Sequence, residues 1–178
     1  MKMKTLLATL ALLMCVSVVS PQVKKPKTQL QTSYDKVNDQ TTVSFQPQKV
    51  EGKSSVKIAG HFSYPGRDLT QAVNRFGIVI YEDKEEEKHS KSEDKEKEER
   101  GPQLFVLADG ARFTLALPES EPYGKETVRR TFVASPEWME QIANAKKVEL
   151  TMGDQVFALR AGTLNAFRNL VARARTTK

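Results

Sequence analysis

The chain is short of the side chains that most often carry chemistry. Among its 178 residues there is one cysteine, and there are two histidines. Cys15 lies inside an N-terminal apolar run, so no thiol remains beyond it, which excludes an internal disulfide or a cysteine nucleophile there. Aromatic residues make up 7% and tryptophan occurs once, leaving no aromatic platform of the kind that stacks single-stranded nucleic acid. No phosphate loop, nucleophile elbow or EF-hand spacing occurs. A long apolar run is missing as well. Leu6 to Val19 is interrupted by Thr9, Cys15 and Ser17 and falls short of the ~20 residues that span a bilayer.

What that run does fit is an export signal. Lys2 and Lys4 precede it and small residues follow, which is the order such signals require. Residues 1–20 are expected to be removed, with cleavage after Ser17 or Ser20, and Met14 ahead of Cys15 argues against lipid attachment. The short basic signal, the scarcity of cysteine and the lack of any Asn-X-Ser/Thr triplet point to a bacterial periplasm or the extracellular space. A domain without disulfides must rely on burial, and roughly 150 residues can supply that as one unit.

The formal charge of +6 divides unevenly. Glu82 to Arg100 holds ten acids and six bases, a net of −4; setting this stretch and the two signal lysines aside leaves +8 on the remainder. Part of the excess follows the signal, at Lys24, Lys25 and Lys27, and part lies at the C-terminus, where Arg160, Arg168, Arg173, Arg175 and Lys178 occur with no acid among them. On an exported protein such charge favours anionic envelope polymers or lipid headgroups over nucleic acid. Arg168, Arg173 and Arg175 are the candidate binding residues.

Residues 21–33 are polar and contain two prolines, a flexible spacer ahead of a single β-rich domain over 34–178. Thr41–Phe45 is β-branched and aromatic. Val56, Ile58, Phe62 and Tyr64 alternate with Lys57, Ala59, His61 and Ser63, a strand with one buried face. Arg75–Tyr81 is apolar on both faces and belongs at the centre of a sheet. The charged stretch 82–101 cannot offset its ordering entropy and reads as a disordered insertion at the tip of a hairpin joining the Phe76 and Leu104 strands.

Asp109-Gly110 predicts a type I′ turn, with Leu104 opposite Leu115 and Val106 opposite Phe113. Residues 118–124 then form a loop and Thr127–Ala134 another strand. Ser135-Pro136-Glu137 opens a short helix. Val148–Met152 and Val156–Arg160 flank a Gly153-Asp154 turn, and a final helix from about Thr163 repeats Leu164, Phe167, Leu170 and Val171 at helical spacing. The expected fold is mainly β (α+β): an antiparallel sheet or sandwich of about eight strands, one short helix between strands, and a C-terminal helix packed on the sheet.

Catalysis is poorly provided for, and a non-enzymatic protein is expected. His61 with Asp35 or Asp68 could pair a base with its orienter, yet no spacing selects them. Asp109, Glu119 and Glu121 could supply the two carboxylates of a glycosidase, but a turn accounts for the first and a loop bounded by Pro118 and Pro122 for the others. These residues are the basis of the alternative, a small hydrolase. Glu82, Asp83, Glu85, Glu86 and Glu87 near His89 lack the glycine and spacing of a calcium loop, and interleaved lysines would repel a cation. No cofactor or metal is expected. The expected partner is a protein or an anionic envelope polymer, with the charged insertion as a second candidate contact surface.

The closing arrangement of helix, Val148 strand, Gly-Asp turn, Val156 strand and final helix resembles small uncharacterised exported bacterial β-sandwich proteins. The likeness covers about the last fifty residues, implies the same sandwich, and brings no catalytic residue with it.

Overall fold

The computed structural model describes residues 29–53, 55–83, 103–115, 119–123 and 127–175, with backbone path and pairing alone for 119–123. Residues 1–20, read above as an export signal, residues 21–28, read as a spacer, most of the charged stretch with His89, and the Glu119 and Glu121 side chains lie outside this description.

Eleven strands and two helices are present among the described residues. In chain order they are β1 (Leu30–Asp35), β2 (Gln40–Phe45), β3 (Gln48–Lys49), β4 (Val56–Pro65), β5 (Phe76–Asp83), β6 (Leu104–Ala108), β7 (Ala111–Leu115), β8 (Glu119–Tyr123), β9 (Thr127–Ala134), α1 (Pro136–Asn144), β10 (Val148–Met152), β11 (Gln155–Ala158) and α2 (Ala161–Ala174). Every pairing is antiparallel. A seven-stranded sheet runs β1-β2-β4-β5-β9-β8, with β3 beside β4, and a four-stranded sheet runs β11-β10-β6-β7.

The inner face of the large sheet carries Val43, Phe45, Ile58, Phe62, Ile78, Ile80 and Phe132, all buried in one core with Leu104, Val106, Leu150 and Phe157 of the small sheet. Helix α2 packs on the same side over β1, β2 and β4. There the Phe167 ring meets Phe45 edge-on at 5.0 Å. The small sheet and α2 therefore share the inner face, and the C-terminal helix packs on the sheet as its apolar stripe predicts. Ser135 caps α1 by accepting from the Trp138 amide at 3.3 Å, and the Trp138 ring stacks on Phe113 of β7 at 5.4 Å.

The β6–β7 hairpin has the expected register, and Asp109 and Gly110 both take positive φ, 46° and 94°, as a type I′ turn requires. Asp109 also ties the turn to the end of α1, because its carboxylate accepts the Lys146 and Lys147 amides at 2.9 and 2.8 Å. Those two bonds hold its carboxyl below its ordinary value.

Four expectations are corrected. First, β5 and β6 do not form a hairpin: β4 and β9 occupy both edges of β5, so the chain between 83 and 104 crosses from one sheet to the other. Second, the insertion begins later than residue 82. Glu82 points inward, pairs with Arg130 and accepts from Gln155 Nε2 at 3.0 Å, while Asp83 accepts from Thr127 Oγ1 at 3.1 Å. Third, residues 119–123, read as a loop, form edge strand β8, where Pro122 is tolerated because one side of the strand needs no ladder bonds. Fourth, residues 30–33, assigned to the spacer, belong to β1, whose register pairs Leu30 with Phe45.

Candidate functional site

A row of basic residues crosses the large sheet, away from the final helix. Directly paired residues of adjacent strands share a face. Lys49 of β3 stands opposite Lys57 of β4, Lys57 opposite Tyr81 of β5, Tyr81 opposite Arg129 of β9, and Arg129 opposite Glu121 of β8, so the four residues from Lys49 to Arg129 end against an acidic position. Lys57 and Tyr81 alternate with the core residues Ile58 and Ile80, and Arg129 has the opposite parity to core Phe132, so the row lies on the outer face, away from the small sheet and α2. At the ~4.8 Å spacing of strands, four residues cover about 14 Å.

Local sequence explains why the row can form. Along β4 and β5 the outer positions next to it are the short side chains Ala59 and Val79, 5% and 6% exposed. Lys49 is exposed, and Lys57, Tyr81 and Arg129 are half-buried. Neither Lys49 nor Lys57 joins an ion pair among the described residues. Two like charges directly across a strand pair destabilise it, by roughly 0.2–1 kcal/mol.

His61 lies two rows away on this outer face, where the alternation placed it, but it is half-buried instead of exposed. Its ring covers the bare backbone of Gly77, its cross-strand partner; a Cβ there would stand 2.0 Å from His61 Cε1. Burial, and after it the positive charge of Arg129, hold the imidazole below its ordinary 6.5. The unfolded chain therefore takes up a proton at 6.5 that the fold refuses, and stability is expected to fall as pH drops from 6.5 towards the folded value. Urea melts across this range should show that slope in the protein, and a shallower one in His61→Gln.

An orienting carboxylate would favour the charged imidazole, and the downward shift of His61 is the opposite of what pairing with Asp35 or Asp68 would give. The Asp35 carboxylate instead accepts from the Val37 amide at 2.8 Å and from Asn38 Nδ2 at 2.7 Å. A cavity of about 310 Å³ lies between the β4–β5 loop and the facing ends of α1 and α2, floored by Val73, Phe76 and Val171. Its charged lining is Glu140 and Arg175, which pair with each other at 2.6 Å; His61 and Asp109 are not part of it. Among the described residues no three of His, Cys, Asp or Glu converge on a metal position. Glu82 and Asp83 are strand residues, bonded to Arg130, Gln155 and Thr127.

The three arginines proposed from the final helix are divided. Arg168 donates Nε to the Ala143 carbonyl at 2.7 Å and Nη2 to that of Ala145 at 2.9 Å, closing the C-terminal end of α1. Arg175 is bound to Glu140. Arg173 is exposed on a different side of α2, about 140° from Arg168 around the helix axis. Arg168→Ala is expected to lower stability by about 1–2 kcal/mol, from charge-assisted bonds to carbonyls of which one end is lost. A denaturant melt measures this.

No family model matches the chain, no curated protein is similar to it, and no solved structure matches it.

The cationic row was beyond sequence reading because Lys49, Lys57, Tyr81 and Arg129 are scattered over eighty residues and each is locally ordinary. The one available signal was Lys57 on the polar side of a strongly alternating strand. Among the described residues no helix is long and apolar enough to cross a membrane.

Proposed function

We propose that this is an exported, non-enzymatic binding protein that holds an anionic envelope polymer on the outer face of its seven-stranded sheet. The observation that carries the reading is Lys49 directly opposite Lys57, neither of them in an ion pair among the described residues. A pair that weakens the sheet by itself becomes favourable once a polyanion bridges it. Phosphate or sulfate groups spaced along a chain can bridge two cations set side by side on neighbouring strands. The N-terminal export pattern supports an envelope location, where such polymers occur.

Titration calorimetry with polyphosphate tests this. Affinity is expected to weaken steeply with added salt, since bound cations release counterions. Lys49→Glu combined with Lys57→Glu should abolish the heat, while Arg173→Glu should leave it intact. Loss in Arg173→Glu with retention in the lysine pair would return the site to the helix and defeat the proposal. Binding only to an acidic protein, and not to any polyanion, would also defeat it.

A further inference from the structure

We propose that the outer face of the four-stranded sheet is a self-association surface whose partner is a second copy of this chain. Among the described residues the exposed large apolar side chains are Val37, Phe105 and Val156. Val37 stands alone in the β1–β2 turn. Phe105 and Val156, 48% and 60% exposed, both pair with Thr151 and so share one face of the small sheet. The next row of that face reads Glu149, Leu107, Arg112, on β10, β6 and β7 in turn.

Over these three strands the row is charged with opposite sign at its two ends and apolar in the middle, with Ala158 of β11 beyond Glu149, which makes the three-strand stretch complementary to itself under a twofold axis. An axis parallel to the strands and lying over β6 turns β10 of one copy onto β7 of the other. Leu107 and Phe105 then meet their own counterparts. Glu149 faces the second copy's Arg112, and the pairing occurs twice by symmetry. Sheets stack in this way within about 30° of alignment. Lys147 engages Glu149 Oε1 at 2.7 Å, while Arg112 is exposed and makes no ion pair among the described residues. The overlap is β10, β6 and β7, roughly 14 Å wide and about 17 Å long, with β11 and Val156 at its margin; that is roughly 240 Å², well below the ~800 Å² per partner of a standard interface, so the association is weak. The basic row lies on the other sheet, facing away, and is not covered in such a dimer.

Sedimentation equilibrium of the purified protein over a wide concentration range tests the proposal through charge exchange. Arg112→Glu sets carboxylates against carboxylates, and Glu149→Arg sets guanidinium groups against each other. Each variant alone is expected to dimerise at least tenfold more weakly than the natural chain, and an equimolar mixture of the two should recover the dimer as a heterodimer. Phe105→Ser, which removes only apolar contact, should weaken association as well, with circular dichroism melts showing that all three variants fold. A natural chain that stays monomeric throughout, single variants that dimerise unchanged, or a mixture that stays monomeric would each overturn the proposal.

Discussion

Phe167→Ala is expected to cost about 3–5 kcal/mol and leave the protein close to unfolding, since a domain of this size holds about 5–15 kcal/mol in all. Phe167 is wholly buried where α2 meets the large sheet. Its edge-on contact with Phe45 closes one side of the space, and on the other β4 comes so near that a Cβ on Gly60 would stand 2.8 Å from the Phe167 ring. Collapse into the vacated volume would require α2 to move towards β4. Yet α2 is fixed independently, by Arg168 on the end of α1 and by Arg175 on Glu140. The cavity therefore stays open, which places the cost at the upper part of the range for aromatic truncation. A urea melt measures it, and Gly60→Ala should fail in the opposite way, by overpacking against the same ring.

Lys57→Glu is expected to move stability and binding in opposite directions. In the fold the lysine stands directly opposite Lys49 of β3 and has Tyr81 and then Arg129 on its other side. A carboxylate at that position turns a repulsive cross-strand pair into an attractive one, so stability should rise, by about 0.2–1 kcal/mol. The same change splits the cationic row, and polyphosphate affinity should fall at least tenfold. A substitution that merely damaged the sheet would lower both quantities, so their divergence separates a binding role from a structural one.

The sandwich was legible where one strand or one turn carries its own signal. The alternation in β4, the apolar β5 and the Asp109-Gly110 turn each specify local geometry, and the β6–β7 register follows from the turn alone. What could not be read depends on pairing between distant segments. The β1 strand has Leu30 and Tyr34 as its apolar residues and is held by β2, and β8 contains a proline that would exclude a central strand; as edges, both need less. The exchange of sheets between β5 and β6 was hidden because β5 looks equally able to accept β6, until β9, some fifty residues on, takes that edge.

The candidate site was hidden for the same reason. A cluster of arginines in one helix looks like a surface in sequence, but helical geometry points Arg168 and Arg175 at α1 and Arg173 elsewhere. Lys49, Lys57 and Arg129 look unrelated until strand register aligns them.

Thermal unfolding with and without polyphosphate at low salt, on the natural chain and on Lys57→Glu side by side, tests the central claim most directly. A polyanion bound to the native row stabilises it by mass action. The variant is expected to melt higher than the natural chain in buffer, and polyphosphate to raise the melting temperature of the natural chain while leaving the variant unmoved. Equal shifts in both proteins, or none in either, would contradict a polyanion site on the Lys49–Lys57 row.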